Sequence, residues 1–365
     1  LLLFILVNLA FAAVYPMQAL GRISAYNTLL PGRPRLPYGD NPERSNSLSL
    51  FNLEAMFASH ELAGQAEKPD GEYRIIFIGD SATWGFLLPA KETLTAQINN
   101  SGAHLPDGRI IRAYNFGYPV MSLTKDLLIL TYAMRYQPDL VVWPVTLESF
   151  PDDKQLFPPL LKNNPEPVFA LIERYQLGLD PASAHLVELG LLERTIFGAR
   201  RELADLFRLQ MLGIPWAATG IDQDIPESFI ARQEDLSADL TFHDFEPGQL
   251  DPQALAFTAL EAGIAIAGDI PVLLVNEPMF ISQGANSDRR YNYYYPRWAY
   301  DDYRRLMVEL SAQQDWLYRD YWDLVPGNEF TNSAVHMSPA GTALFAERLL
   351  QDILEINQPI TRPDL

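Results

Sequence analysis

From residue 73 onward, short apolar runs alternate with stretches of helical periodicity. The runs lie at 74–78, 110–116, 139–145, 270–278 and 315–322. Short apolar runs alternating with helices are the pattern of a parallel sheet covered on both faces. Helical spacing fills the intervals at about 92–99, 122–137 and 298–313, with Ser122 as N-cap of the second. A last helix runs from 339 to about 355, and Ser338-Pro339 is a strong start signal for it. Strands alternating with helices predict an α/β fold, a parallel sheet between two helical layers. The stretch from about 150 to 260 is too long for one crossover. Its pieces at 168–178 and 186–214 read as a mostly helical insertion between the third and fourth strands. Leu203, Leu206, Phe207, Leu209 and Met211 are expected in the core of that insertion.

The N-terminal pattern differs. Residues 1–21 carry no charge, and the first charged residue is Arg22. About 20 apolar residues span a bilayer, although Asn8 and Pro16 interrupt the run. Three readings stay open: a transmembrane anchor, a cleaved signal segment with small residues at 10–13, or a buried helix. The first two put the rest of the chain on the extracytoplasmic side, anchored or secreted. Residues 22–47 are rich in Pro, Gly, Asn and Ser and read as an extended linker. Residues 48–64 have helical spacing, with Leu53, Met56 and Phe57 on one face, and open the main domain at 48–365.

Composition narrows the function. The 46 acidic residues against 27 basic ones give a net charge of −19, which repels a nucleic-acid backbone and excludes it as a partner. With no cysteine there is no thiolate nucleophile, disulfide or zinc–sulfur site. His60, His104, His185 and His243 show no metal-ligand spacing, so no metal is expected. Gly79 and Gly85 do not form a dinucleotide fingerprint, and there is no P-loop, so no cofactor is expected either.

Ligands of open α/β sheets bind beyond the carboxyl ends of the strands. Those ends carry Gly79-Asp80-Ser81, Asn115-Phe116-Gly117 and Thr146-Leu147-Glu148, and His336 lies just before the last helix. Taken alone, Gly-Asp-Ser is an ordinary turn with a helix cap, and Met-Ser-Pro only starts a helix. Their order on one rim brings a serine and a histidine together, the beginning of nucleophilic acyl transfer. "IGDS" after the first strand, Gly after the second and "HMSPAG" at the last helix resemble the SGNH (GDSL-type) hydrolases. The resemblance covers about 73–146 and 270–356. It implies a flavodoxin-like α/β/α sandwich with Ser81 as nucleophile and His336 as base. It also implies an oxyanion hole from the backbone N–H groups of Ser81 and Gly117.

Two positions depart from that family. The third strand should lead to an Asn-containing block, but Thr146 and Glu148 stand there, and an ionised Glu is an acceptor only. Either Glu148 points elsewhere, or Thr146 donates, or the hole has two donors. An Asp is expected shortly before His336, where Asn332 and Ser333 stand. Either can accept the ring N–H, but neither stabilises imidazolium as a carboxylate does. Asp320, Asp323 and Glu329 are other carboxylates nearby in sequence. Residues 286–307 hold six tyrosines. Tyr291, Tyr293, Arg297 and Trp298 there suit a sugar or an anionic head group, or else simply pack a long loop. The expected function is an extracytoplasmic acyl-ester hydrolase or acyl transferase, its substrate carbohydrate-linked in one version. The alternative is a silent SGNH-like module that binds a glycan or a protein.

Overall fold

The computed structural model describes residues 1–21, 23, 25–38, 53–65, 67–180, 189–219 and 228–358. The chain forms two compact units. One comprises Leu1–Ala66 with Leu156–Asp224, the other Glu67–Gln155 with Ile225–Leu365.

The second unit is an α/β/α sandwich. Its strands are β1 (Glu72–Phe77), β2 (Ile110–Asn115), β3 (Leu140–Val145), β4 (Val272–Asn276) and β5 (Leu317–Asp320). They form one parallel sheet in the order β2-β1-β3-β4-β5, the flavodoxin-like winding. The helices of this unit are α1 (Ser81–Trp84), α2 (Leu94–Asn100), α3 (Leu123–Ala133), α4 (Phe257–Ala267), α5 (Arg297–Gln314) and α6 (Pro339–Ile356).

The period-two geometry of a strand sorts the layers. Leu140 and Val142 of β3 join Ile75 and Phe77 of β1 in one cluster with Leu94 and Ile98 of α2 and Phe345 and Leu349 of α6. Trp143 points the other way. Its indole N–H meets Asp126 of α3 at 3.2 Å, and its ring lies where a Cβ on Gly263 of α4 would have to sit. Both faces of β1, β3 and β4 are therefore buried, which accounts for their continuous apolar runs. Helix α4 has no counterpart in the sequence expectation, which ran the insertion to 260. The segment from 228 onward belongs to the sandwich unit.

In the other unit, residues 1–21 do not make one helix. A helix at Leu2–Val14 ends at Tyr15, whose φ of 40° is left-handed, and a short helix follows at Met17–Gly21. Pro16 has no N–H to continue the first ladder. Among the described residues, no helix is long and apolar enough to cross a membrane. Asn8 is buried, and its side-chain oxygen accepts the Phe197 N–H at 3.2 Å.

The expected linker at 22–47 is not extended where it is described. The N–H groups of Gly32 and Arg33 both donate to Ser59 of the helix Leu53–Ser59, and Arg35 and Leu36 are fully buried. Residues 39–52, which include the rest of the linker and the expected start at 48, lie outside the described residues, as do 220–227 of the Pro/Asp/Glu-rich piece. The helix Arg200–Thr219 buries Leu209 but leaves Phe207 and Met211 exposed, so only part of the expected insertion core is core.

Candidate active site

The stop after β1 is built for a sharp turn. Gly79 has φ 149°, and a Cβ there would meet Thr83 Oγ1 at 2.5 Å, so only glycine fits. Asp80 caps α1, its carboxylate accepting the Ala82 N–H at 2.8 Å. Burial raises the Asp80 pKa, an effect that Lys125 partly offsets. Ser81 opens α1 half-buried, and its N–H has no protein acceptor among the described residues.

His336 comes from the opposite end of the chain. Its loop is tied down by Thr331 N–H to His336 O (2.8 Å) and by Phe280 N–H to Ala334 O (2.7 Å). His336 Nε2 stands 2.7 Å from Ser81 Oγ, and Nδ1 stands 2.8 Å from Asn332 Oδ1. Since the Asn332 oxygen only accepts, Nδ1 carries the proton and Nε2 accepts from the serine hydroxyl. Phe86 stacks on the imidazole at 4.7 Å. Burial pushes the His336 pKa down to about 4, so the ring is neutral at physiological pH.

Among the described residues, no carboxylate reaches the ring. Asp320 pairs with Arg304 at 2.8 Å, Glu329 accepts from Ser338, and Ser333 meets Tyr293 OH at 3.3 Å. Of the two residues in the expected Asp position, Asn332 reaches the histidine.

The remaining oxyanion candidates are arranged differently from the expectation. The Gly117 N–H donates to Asn115 Oδ1 at 3.0 Å, while Asn115 Nδ2 donates to the Thr83 carbonyl of α1 at 2.8 Å. Asn115 thus fastens the end of β2 to the helix that carries the serine. Thr146 shares its hydroxyl with Tyr295 OH at 2.8 Å and is fully buried. Glu148 ion-pairs with Lys154 and stands 3.2 Å from His243 Nε2, whose Nδ1 is 3.1 Å from Asp153. Burial opposes the Glu148 charge, yet His243 and Lys154 hold its carboxyl below the usual range. Glu148 in turn holds His243 above its ordinary value. The unfavourable carboxylate at the third position is therefore neutralised in place.

The aromatic loop mostly packs. Tyr291 is buried and donates to Asp301 at 2.8 Å. Arg297 lies 4.2 Å over the Tyr291 ring and donates to Ser287 O, and Trp298 donates to Leu240 O at 2.7 Å. These three use polar groups within the fold, while Arg297 and Trp298 stay half-buried. Tyr293 is the member that reaches the His336 loop, its hydroxyl accepting the Ala334 N–H at 3.0 Å.

Sequence reasoning passed over Asn115 as a tether, Phe86, Lys154 and His243. Asn115 had the one visible signal, a polar residue closing an apolar strand. Among the described residues, no group of His, Asp and Glu has a metal-binding arrangement.

No protein-family model and no curated protein sequence matches the chain. Among solved structures it is similar to a carbohydrate acetylesterase family member from Sinorhizobium meliloti, at 12% identity and a TM-score of 0.32, over 78% of this chain and 98% of that one. It is also similar to the aryl esterase of M. smegmatis, at 11% identity and a TM-score of 0.32, over 77% of this chain and 98% of that one. At such identities the chemistry has to be argued from this chain's own atoms.

Proposed function

We propose that this chain is an SGNH-type serine hydrolase acting on ester-linked acyl groups. The observation that carries the reading is the 2.7 Å contact between Ser81 Oγ and the neutral Nε2 of a buried His336. Ser81 Oγ attacks the ester carbonyl while its proton passes to Nε2. The resulting imidazolium returns that proton to the leaving alkoxide, and an acyl-serine remains. Water, deprotonated by the same nitrogen, then releases the acid. A sugar hydroxyl in place of water makes the reaction a transfer, with a carbohydrate-linked ester as one version of the substrate. The Ser81 N–H is the available backbone donor for the oxyanion.

Asn332 fixes the tautomer but adds no charge, so the histidine is a weak base for this task. That feature, with the Gly117 N–H occupied, favours a second reading in which the fold binds an acylated glycan without turning it over. The same proposal puts the protein at the extracytoplasmic face of a membrane. The uncharged residues 1–21 and the exposed apolar side chains of Leu2–Val14 support that.

The test is fluorophosphonate labelling of the full chain beside Ser81→Ala and His336→Ala. Labelling that disappears in both variants is the expected result. A folded wild type that stays unlabelled sinks the hydrolase reading in favour of the binding module.

A further inference from the structure

Helix α3 contains a residue out of keeping with its surroundings. Lys125 is fully buried, in a helix that also buries Thr124 and Asp126 beside the apolar Leu123, Leu127, Leu128, Ile129, Leu130 and Ala133. A buried ammonium is costly unless each of its protons has a partner. Here the partners come from three places. Lys125 Nζ donates to the Gly79 carbonyl at 2.8 Å and to the Tyr118 carbonyl, and it ion-pairs with Asp126 at 2.6 Å. Gly79 lies two residues before Ser81, and Tyr118 immediately follows Gly117. The Gly79 carbonyl also accepts the Tyr118 N–H at 2.9 Å, so the two loops and the ammonium form one closed junction.

We infer that Lys125 is a positioning residue for the proposed hydrolase reaction, joining the Ser81 loop to the Gly117 loop so that the serine and its backbone donor keep their geometry. The inference rests on the hydrolase reading of the site. Three further features point to positioning rather than to stability. First, replacing a buried ion pair by apolar residues is often neutral for folding, so stability alone does not call for a lysine. Second, no apolar side chain can tie two carbonyls from different loops. Third, Asp126 aims the ammonium, and its other oxygen accepts the Trp143 indole N–H at 3.2 Å, which anchors the pair to β3. Around this pair Asp80 and Glu277 are also buried acids, and among the described residues Glu277 Oε1 has no hydrogen-bond partner. The lysine is thus a fully buried cation set among several acids beside the turn that carries Ser81.

The test compares wild type, Lys125→Met and Lys125→Met/Asp126→Asn. The double variant removes the clamp without leaving Asp126 as an unpaired charge, and it covers the case in which the single variant does not fold. Full-length proteins are assayed for p-nitrophenyl acetate hydrolysis across pH and for fluorophosphonate labelling rate. We expect kcat and labelling rate to fall by roughly 30- to 300-fold, a sizeable part of the loss of an oxyanion donor. KM should stay within about threefold and the acid limb set by His336 should not move, because the base and its environment are untouched. A purely structural role would lower the melting temperature and leave the rate of the folded protein alone. Folded variants with rates within about threefold of wild type overturn the inference, as does a loss carried by KM. An unlabelled wild type overturns the hydrolase reading and this inference with it, whereas a labelled wild type beside equally labelled variants overturns only the inference.

Discussion

The loop after β1 and the loop after β3 leave the same rim of one sheet, yet they treat their polar groups in opposite ways. After β1, Asp80 and Gly79 satisfy the turn, while Ser81 keeps its hydroxyl for His336 and its N–H for no protein acceptor. After β3, Thr146 is bound to Tyr295 and Glu148 to Lys154 and His243. One loop holds its reactive atoms in reserve, and the other has none left over. Residue type alone does not separate the two, since Ser, Thr and Glu are all capable of catalysis. What separates them is whether the fold has already paired the group.

The largest effect should come from breaking the loop after β1. Ser81→Ala and His336→Ala should each lower kcat for an activated ester by roughly 10³- to 10⁵-fold, and the double variant should be no worse than either single one. Steady-state assays of all three decide this. A double variant much slower than the singles would mean that the two residues do not act as one unit.

Next in size is Gly117→Ala. A Cβ at Gly117 would stand 2.5 Å from Trp84 N and 2.8 Å from the Thr83 carbonyl carbon, both backbone atoms of α1. Helix α1 must then shift and carry Ser81 with it. We expect about a 10²-fold loss of activity with roughly 1–3 kcal/mol of lost stability from overpacking, read by assay and by denaturant unfolding. Activity near wild type would show that the approach of β2 to α1 does not position the serine.

These close approaches mark how far the sequence was legible. The centre of the sheet could be read because β1, β3 and β4 are largely apolar runs, and burial on both faces demands that pattern. Ser81 and His336 could be read because their motifs are local. The partners were not. Nothing in the spacing says that Asn115 spends its amide on Thr83 and its oxygen on Gly117, or that His243, in a loop read as insertion, closes on Glu148. Lys125-Asp126 in an apolar helix was a visible oddity, but a charged pair near a helix start is usually solvated. The aromatic loop misled in the other direction, because a run of tyrosines looks the same whether it faces a ligand or a core.

A third experiment sharpens the comparison instead of breaking it. Asn332→Asp would give His336 the carboxylate it lacks. The sign follows from the active form of the ring. Neutral His336 is the base, so activity is present above its pKa and is lost as pH falls through it. In the wild type that pKa is held at about 4 by burial, and the acid limb should lie there. An aspartate 2.8 Å from Nδ1 favours imidazolium and moves the limb upward, toward the ordinary imidazole value of about 6.5. At neutral pH the rate should rise by up to about tenfold, since the transition state gains the stabilised imidazolium. A limb that does not move would mean that Nδ1 is not facing residue 332.

The smallest effect is expected at Glu148, and its smallness is the point. Glu148→Gln keeps the shape and removes the charge that holds Lys154 and His243. If the loop after β3 is structural, activity should change by less than about threefold. What should change is the pH dependence of stability. Glu148 raises the His243 pKa in the folded state. That contribution is complete below the unfolded value and fades as pH rises through the folded one. Melting temperatures at mildly acidic and mildly alkaline pH should therefore show a bonus on the acid side in the wild type that shrinks in Glu148→Gln, by an amount worth about 1 kcal/mol or less for a partly exposed pair. An activity loss approaching 10²-fold with stability intact would instead mean that Glu148, or the Lys154 it holds, takes part in the reaction. The two loops would then share the chemistry rather than divide it.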